Sequence, residues 1–337
     1  MILMIGKRLL MAIPSLMGVI VVTFIISHTL PGDPAAYFAG PAATPESIAR
    51  TRAELGFDRP LPVQFVDYVT NLAQGDLGRS LNSGQPVLDD LMRRLPASLE
   101  LTFYALLFAV VVGIPLGLWA AVNPGSWIDH LCRGTVTAAQ ALPSFFIALL
   151  LIFVFYYHLR ISPAPMGRLE IFFAEPPRVT GFYTIDALIV GDLTTARAAA
   201  AQVILPAIAL GSFALAPLAR MTRASMLGVL SSEFITTARA LGLRRRTILW
   251  RYGFRNALLP VLNILGMVFS FLLGANVLIE EVFGWPGVGS YAVEAVLTSD
   301  YAAIQGFVVL MAVLFTALNL AVDILNMIAD PRVRYND

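Results

Sequence analysis

Long uncharged apolar runs alternate along this chain with shorter stretches where charges, prolines and glycines gather. Five runs stay apolar for roughly 20 residues, the length a helix needs to cross a hydrocarbon core of about 30 Å. They fall near Leu9–Thr29, Ala97–Val122, Thr135–Tyr157, Ala257–Ile279 and Ala302–Leu325. A sixth, Ala198–Ala219, is less hydrophobic yet uncharged, and its Pro206 and Pro217 suit a membrane helix better than a soluble one. The pattern predicts an all-α integral membrane protein with six transmembrane helices. Residues 1–30 form a tail and first span, 31–95 an extracytoplasmic segment, and 96–337 the core, with a loop at 220–255. A cleaved signal peptide is the weaker reading of the first span, because its apolar stretch is long and no A-x-A site follows.

The segments between spans carry their own signals. In 31–95, Thr44 is a plausible N-cap with Pro45 at the first helical position, and Val63–Leu72 reads as a second short helix. A stretch this long exceeds what a connector needs. It can cover a pore mouth, receive a soluble partner, or simply cap the spans. In 158–197, Phe172, Phe173, Phe182 and Tyr183 read as interfacial anchors before they read as peptide contacts. The polar residues within spans are Gln140, Asn263, Asn276, Asn319 and Asp323, with Glu100 near an outer end. Asp323, about one turn from a boundary, is expected to pair with an arginine rather than to line a pathway.

Composition and charge sharpen the picture. Hydrophobic residues make up 58% and charged residues 13% of the chain, against about 45–50% and about 25% in soluble domains. Lys7 and Arg8 precede the first span, which places the N-terminus in the cytoplasm. Alternation then puts 31–94, 158–197 and the acidic Glu280–Asp300 loop outside, and the Asn123–Gly134 turn, the 220–255 loop and the C-terminal tail inside. Cys132 stands alone, and His28, His130 and His158 lie on different segments, so neither a disulfide framework nor a clustered metal site is expected. The single lysine, Lys7, sits too near the start to complete a G-x-x-x-x-G-K-[ST] phosphate loop. Any ATP that drives this protein must be held by another chain. No G-x-S-x-G elbow or H-E-x-x-H pair appears either, so an enzymatic role is not expected.

The loop from Arg220 to Arg255 holds eight of the 23 basic residues and one acid, Glu233. Within it Phe234, Ala238 and Leu241 recur at i, i+4, i+7, and Gly242 follows. Ser231 or Ser232 can cap the start, and Glu233 complements the helix dipole. That describes a short docking helix, Ser231–Gly242, followed by Arg244-Arg245-Arg246 and a second helix, Thr247–Asn256, entering the next span. An arginine-rich inner loop can equally serve the positive-inside rule or touch anionic lipid. On the residues alone both readings stand.

At this loop the sequence resembles the B-type permease subunits of the dipeptide/oligopeptide branch of binding-protein-dependent ABC importers. Their loop carries an EAA-x-x-x-G motif, and this chain reads Thr236-Thr237-Ala238-Arg239-Ala240-Leu241-Gly242. Thr236 replaces the glutamate, Thr237 the first alanine, and the closing leucine-proline is displaced to Leu259-Pro260; the peptide branch departs in similar ways. Further matches follow in order: Pro31-Gly32-Asp33-Pro34, Leu55-Gly56-Phe57-Asp58-Arg59-Pro60, Gly75-Asp76-Leu77-Gly78-Arg79-Ser80, Glu280 with Trp285-Pro286-Gly287, Asp300-Tyr301 and Asp330-Pro331-Arg332. The resemblance implies a type I ABC importer permease fold without a cofactor of its own. It further implies a second permease subunit, two ATPase subunits that bind ATP and Mg, and an extracytoplasmic solute-binding protein. By carry-over, Ala238, Arg239, Ala240, Gly242 and Leu243 couple to the ATPase, with Phe234 and Leu241 as the buried face. Peptide is the implied substrate, with nickel, glutathione and haem as other cargoes in the branch; nucleic acid is not an expected partner. The rival classes are a stand-alone channel or ion-coupled carrier and, more remotely, an intramembrane enzyme.

Overall fold

The structure, a computed structural model, describes residues 2–29, 35, 40, 43–54, 56 and 58–329. Helices dominate: α1 (Ile2–Thr29), α2 (Pro45–Glu54), α3 (Leu61–Ala73), α4 (Val87–Val122), α5 (Trp127–Ala141) and α6 (Ser144–His158) come first. They are followed by α7 (Tyr183–Ile189), α8 (Leu193–Leu230), α9 (Glu233–Ala240), α10 (Arg245–Val282), α11 (Val288–Leu297) and α12 (Tyr301–Ala329). Among the described residues four helices are long and apolar enough to cross a membrane unaided: α4, α8, α10 and Tyr301–Val322 of α12. The shorter apolar stretches Leu10–Ile26 and Ser144–His158 complete the six expected spans. The motif residues Pro31–Pro34, Leu55, Phe57 and Asp330–Arg332 lie outside the described residues, as do the side chains of Gln140 and Asp323.

Three sequence expectations change. The third span is not one helix, because it breaks at Leu142-Pro143, where Leu142 turns extended at φ −104° and ψ 135°. Proline bars the α conformation from the residue before it and brings no N–H to the ladder, so α5 stops and α6 restarts. The stretch after α10 is not a plain acidic loop; it contains α11, too short to cross at about 15 Å. The anticipated second helix after the arginine triplet is instead the start of α10, and it widens to π-helical turns over Ile248–Phe254.

Two compact units result: Met1–Leu95 with Val288–Ala317, and Pro96–Gly287 with Leu318–Asp337. In the first unit, Ser47 N–H bonds the Thr44 hydroxyl oxygen at 3.3 Å as the start of α2 requires. Phe24 of α1 meets Phe65 of α3 edge to face at 5.2 Å. Fully buried Asp300 caps α12 by accepting from Ala303 N–H at 3.2 Å. Its other oxygen accepts from the Ser80 hydroxyl at 2.6 Å and the Leu81 N–H at 2.7 Å. Two of the family-like motifs thus meet in one hydrogen-bonded latch.

In the second unit α8 lies against α5, α6, α7 and α10, and against α4 through its glycines. Its buried face is small: Ala207, Ala209, Ala214, Ala216 and Ala219 are 0–4% exposed. A Cβ on Gly117 would stand 2.4 Å from the Ala219 carbonyl, and one on Gly211 would stand 2.5 Å from the Ala105 carbonyl. α4 and α8 therefore touch backbone to backbone, which is how membrane helices gain dispersion energy when lipid removes the hydrophobic drive. At the start of this pair Glu100, 1% exposed, accepts from Arg168 Nε at 3.1 Å and from Thr184 N–H at 3.0 Å. The Arg168 guanidinium also stacks over the Tyr183 ring at 3.5 Å and donates to the Gly181 carbonyl at 2.6 Å. Glu280, wholly buried at the end of α10, accepts from Asn276 at 2.9 Å and from Ser98, while Trp285 Nε1 donates to the Ala97 carbonyl at 2.9 Å.

Candidate functional site

The docking helix read from the sequence exists as α9, with Ser232 at the N-cap and Leu241 at the C-cap. Its cap differs from expectation, since the Ser232 hydroxyl donates back to the Val229 carbonyl at 2.5 Å instead of accepting from a first-turn N–H. The C-terminal end follows the sequence signal closely. Gly242 takes φ +74°, its N–H donates to the Arg239 carbonyl at 3.0 Å, and the Leu243 N–H reaches back to Ala238 at 3.2 Å. Those paired bonds form a Schellman closure, and the left-handed residue inside it is the one position where a Cβ would bring strain.

The face of α9 that packs on its own chain is a different one from the docking face read in the sequence. Ile235 and Ala238 are 0% and 5% exposed and cluster with Ile248 of α10 and Val229 of α8. Phe234 and Leu241, read from the sequence as the face that docking buries, are 46% and 74% exposed in the chain by itself. The reason is geometric: Ile235 and Ala238 are three residues apart on one stripe, and Phe234 and Leu241 fall together on one flank of it. The helix is thus held by a narrow root and shows apolar side chains to its surroundings. Arg239 and Ala240 are exposed, as is Leu243 at 37%. All seven residues singled out in the sequence gather on this one short element and its closing turn.

Sequence reasoning missed Ile235, Ile248 and Val229, because the partner stripe comes from helices 20 residues and less away in sequence but with different periodicities. It also missed what supports the neighbouring segment. Asp129, 1% exposed, takes a two-pronged bond from Arg223, Nε at 2.7 Å and Nη2 at 2.9 Å, and accepts from Gly125 N–H at 2.9 Å. The Arg223 bond, helped by that backbone N–H, holds the Asp129 carboxyl down at about 2. Ser126 caps α5, with Asp129 N–H donating to its hydroxyl at 3.3 Å. A Ser-x-x-Asp spacing before an apolar run was the available signal. This clamp ties the turn after α4 to the last turns of α8, directly before α9.

Geometrically, α9 is an exposed, capped, partly apolar prong anchored on two long helices by a small apolar root. It has no groups arranged for covalent chemistry. What it offers is a surface.

Comparison with known proteins places the surface in context. Residues 113–335 match the family described as binding-protein-dependent transport system inner membrane component, and residues 1–102 match the N-terminal model for such membrane components. The probable D,D-dipeptide transport system permease protein of Escherichia coli K12 is 44% identical over 316 residues, covering 94% of this chain and 93% of that protein. The dipeptide transport system permease protein of Alkalihalophilus pseudofirmus is 38% identical over 334 residues, covering 98% of each. A di/tripeptide transport system permease protein of Pseudomonas aeruginosa is 39% identical, again over 98% of each chain. Among solved structures, an inward-facing methionine ABC transporter shares the fold at a TM-score of 0.52 and 18% identity, over 72% of this chain and 96% of that one. With family models along nearly its whole length and relatives at 38–44% identity, this chain belongs to the inner membrane components of binding-protein-dependent transport systems.

Proposed function

We propose that this chain is one of two permease subunits of an ATP-driven importer of dipeptides or oligopeptides, and that α9 is the point where it takes up the work of ATP hydrolysis. The observation that carries the reading is the exposed apolar pair Phe234 and Leu241 on a helix fixed at its root by Ile235 and Ala238. A free helix of eight residues is too short to persist in water, so an anchored one with exposed apolar side chains fits a groove on another protein. Phe234, Ala238, Arg239, Ala240, Leu241, Gly242 and Leu243 then form the coupling element. ATP and Mg belong to two ATPase subunits beneath the membrane, and a solute-binding protein delivers peptide to the opposite face. Peptide as cargo is drawn from the relatives' names, which refer to dipeptides and di/tripeptides.

The charge asymmetry supports an orientation with both termini and the basic loop in the cytoplasm and residues 31–95 outside. The core of 96–337 carries the pathway together with the second permease. Closure of the ATPases pulls on α9 and repacks the spans as rigid bodies, passing between inward- and outward-open arrangements.

Gly242→Asp tests the coupling element. A side chain there meets open space but forces a left-handed backbone, at about 1–2 kcal/mol. The variant complex is expected to reach the membrane, hydrolyse ATP and import no labelled dipeptide in proteoliposomes. Import at the normal rate would remove α9 from the coupling path. Solute movement by the isolated chain, with no ATPase present, would favour a stand-alone carrier.

A further inference from the structure

Beside the root of α9 a cleft of about 470 Å³ opens where the ends of α4, α8 and α10 meet. Its apolar lining is Val122, Leu230, Leu243, Ile248 and Leu249, and its charged lining is Arg239 and Arg245. The size falls within the roughly 300–1,000 Å³ of pockets that enclose small ligands. Arg239 and Arg245 are exposed and form no ion pair among the described residues, where the pairs join Arg59, Arg94, Arg133, Arg168 and Arg223 to acids. Glu233, the one acid between Arg220 and Arg255, makes none either.

The depth of the cleft is set by tryptophan. Trp119, Trp127 and Trp250 are 58%, 73% and 53% exposed, the pattern of indoles seated at a membrane–water boundary. Val122 lies between the first two along the chain, and Leu249 adjoins the third. The cleft therefore opens at headgroup level, with hydrocarbon on one side and cationic guanidinium groups on the other. A ligand that satisfies both walls is an anion with an apolar tail. An inorganic anion would leave Val122, Leu230 and Leu249 uncovered, and so would an acidic side chain from a protein partner.

We propose that this cleft is a binding site for an anionic phospholipid, whose phosphate lies between Arg239 and Arg245 and whose first acyl carbons cover Val122, Leu230 and Leu249. Guanidinium pairs suit the phosphate oxygens through forked, charge-assisted bonds. The bound lipid fills the gap behind α9 and ties its closing turn to the membrane plane. The cleft shares Arg239 and Leu243 with the proposed coupling element but leaves the exposed Phe234 and Leu241 uncovered, so it rests on that reading only in taking those two side chains as the docking face.

The test uses the full chain purified in detergent with the subunits that accompany it, mixed with phosphatidylcholine and phosphatidylglycerol and read by native mass spectrometry. One phosphatidylglycerol is expected to survive delipidation in preference to phosphatidylcholine. Each basic group near an anionic surface is worth a factor of about five, so Arg239→Gln with Arg245→Gln should cut retention about 25-fold. Arg246→Gln, an equal loss of charge outside the lining, should change it clearly less than Arg245→Gln alone. Equal losses from Arg246→Gln and Arg245→Gln would mean diffuse attraction and overturn the site. Displacement by excess inorganic phosphate would overturn it as well. Should the variants fail to fold, a headgroup-diazirine phosphatidylglycerol decides on the unaltered protein: labelling within 239–249 supports the site, and labelling only elsewhere removes it. Labelling there only after the accompanying subunits are stripped would assign the cleft to a protein partner and end the proposal.

Discussion

Between α4 and the segment that leads into α7, Glu100 and Arg168 close on each other, with Thr184 and Gly181 taking up their remaining bonds. Past the end of α8, Arg239 and Arg245 carry no ion pair among the described residues, and Phe234 and Leu241 stay exposed. The two regions belong to one compact unit. Charges that are buried and paired within the chain serve the fold, because each makes the other's desolvation tolerable. Charges and apolar groups left open on an ordered element are directed at something outside the chain. Asp129 and Arg223 mark the transition: they sit at the basic end, yet they are closed on each other.

The sharpest break is Arg168→Ala. It strands a carboxylate that is 1% exposed, and the expected loss is about 3–5 kcal/mol. Thermal unfolding of the detergent-solubilised protein would show it, and a stability within about 1 kcal/mol of the parent would mean the clamp is not what holds this end. Smaller effects separate the two faces of α9. Ile235→Ala should cost about 2–4 kcal/mol by opening a cavity at the root. Phe234→Ala and Leu241→Ala should each stay within about 0.5 kcal/mol in the isolated chain. In the assembled complex that ranking should invert for transport, with Phe234→Ala and Leu241→Ala giving the ATP hydrolysis of an uncoupled pump. Equal destabilisation by all three would erase the distinction between root and exposed face.

The mildest effect is a pH response. Folding lowers the Asp129 carboxyl from 3.8 to about 2. A depressed carboxyl stabilises the fold fully above its unfolded value and loses that contribution as pH falls through the folded one. Stability of the parent should therefore decline between about pH 4 and pH 2 by more than that of Asp129→Asn. Parallel acid limbs would show that the clamp contributes nothing at this end.

How much of this could be read beforehand depends on the range over which each signal acts. The bounds of α9 were legible because caps are local: a serine before it, glycine after it, and a return bond within five residues. The face it buries was not, since Ile235 is chosen by Ile248, and no periodicity within one short helix reveals a neighbour's stripe. Pro143 ended α5 by a rule that was available, but the hydrophobic run across it concealed the break. Glu100 in an apolar run announced that it needed a partner; which of the four arginines in 158–197 supplied it depended on a loop path 68 residues away. Hydropathy alone yielded the spans, and the inter-helical charges required three dimensions.

The root of α9 is shared, since Ile235 and Ala238 touch Val229 of α8 and Ile248 of α10. A load applied at Phe234 or Leu241 therefore does not run along a single strand of backbone. It is divided at once between two long struts, and the doubly bonded turn at Gly242 keeps the junction from being drawn out straight. Such a joint carries tension as well as compression, so under the proposed coupling role the same eight-residue element would serve a stroke in either sense.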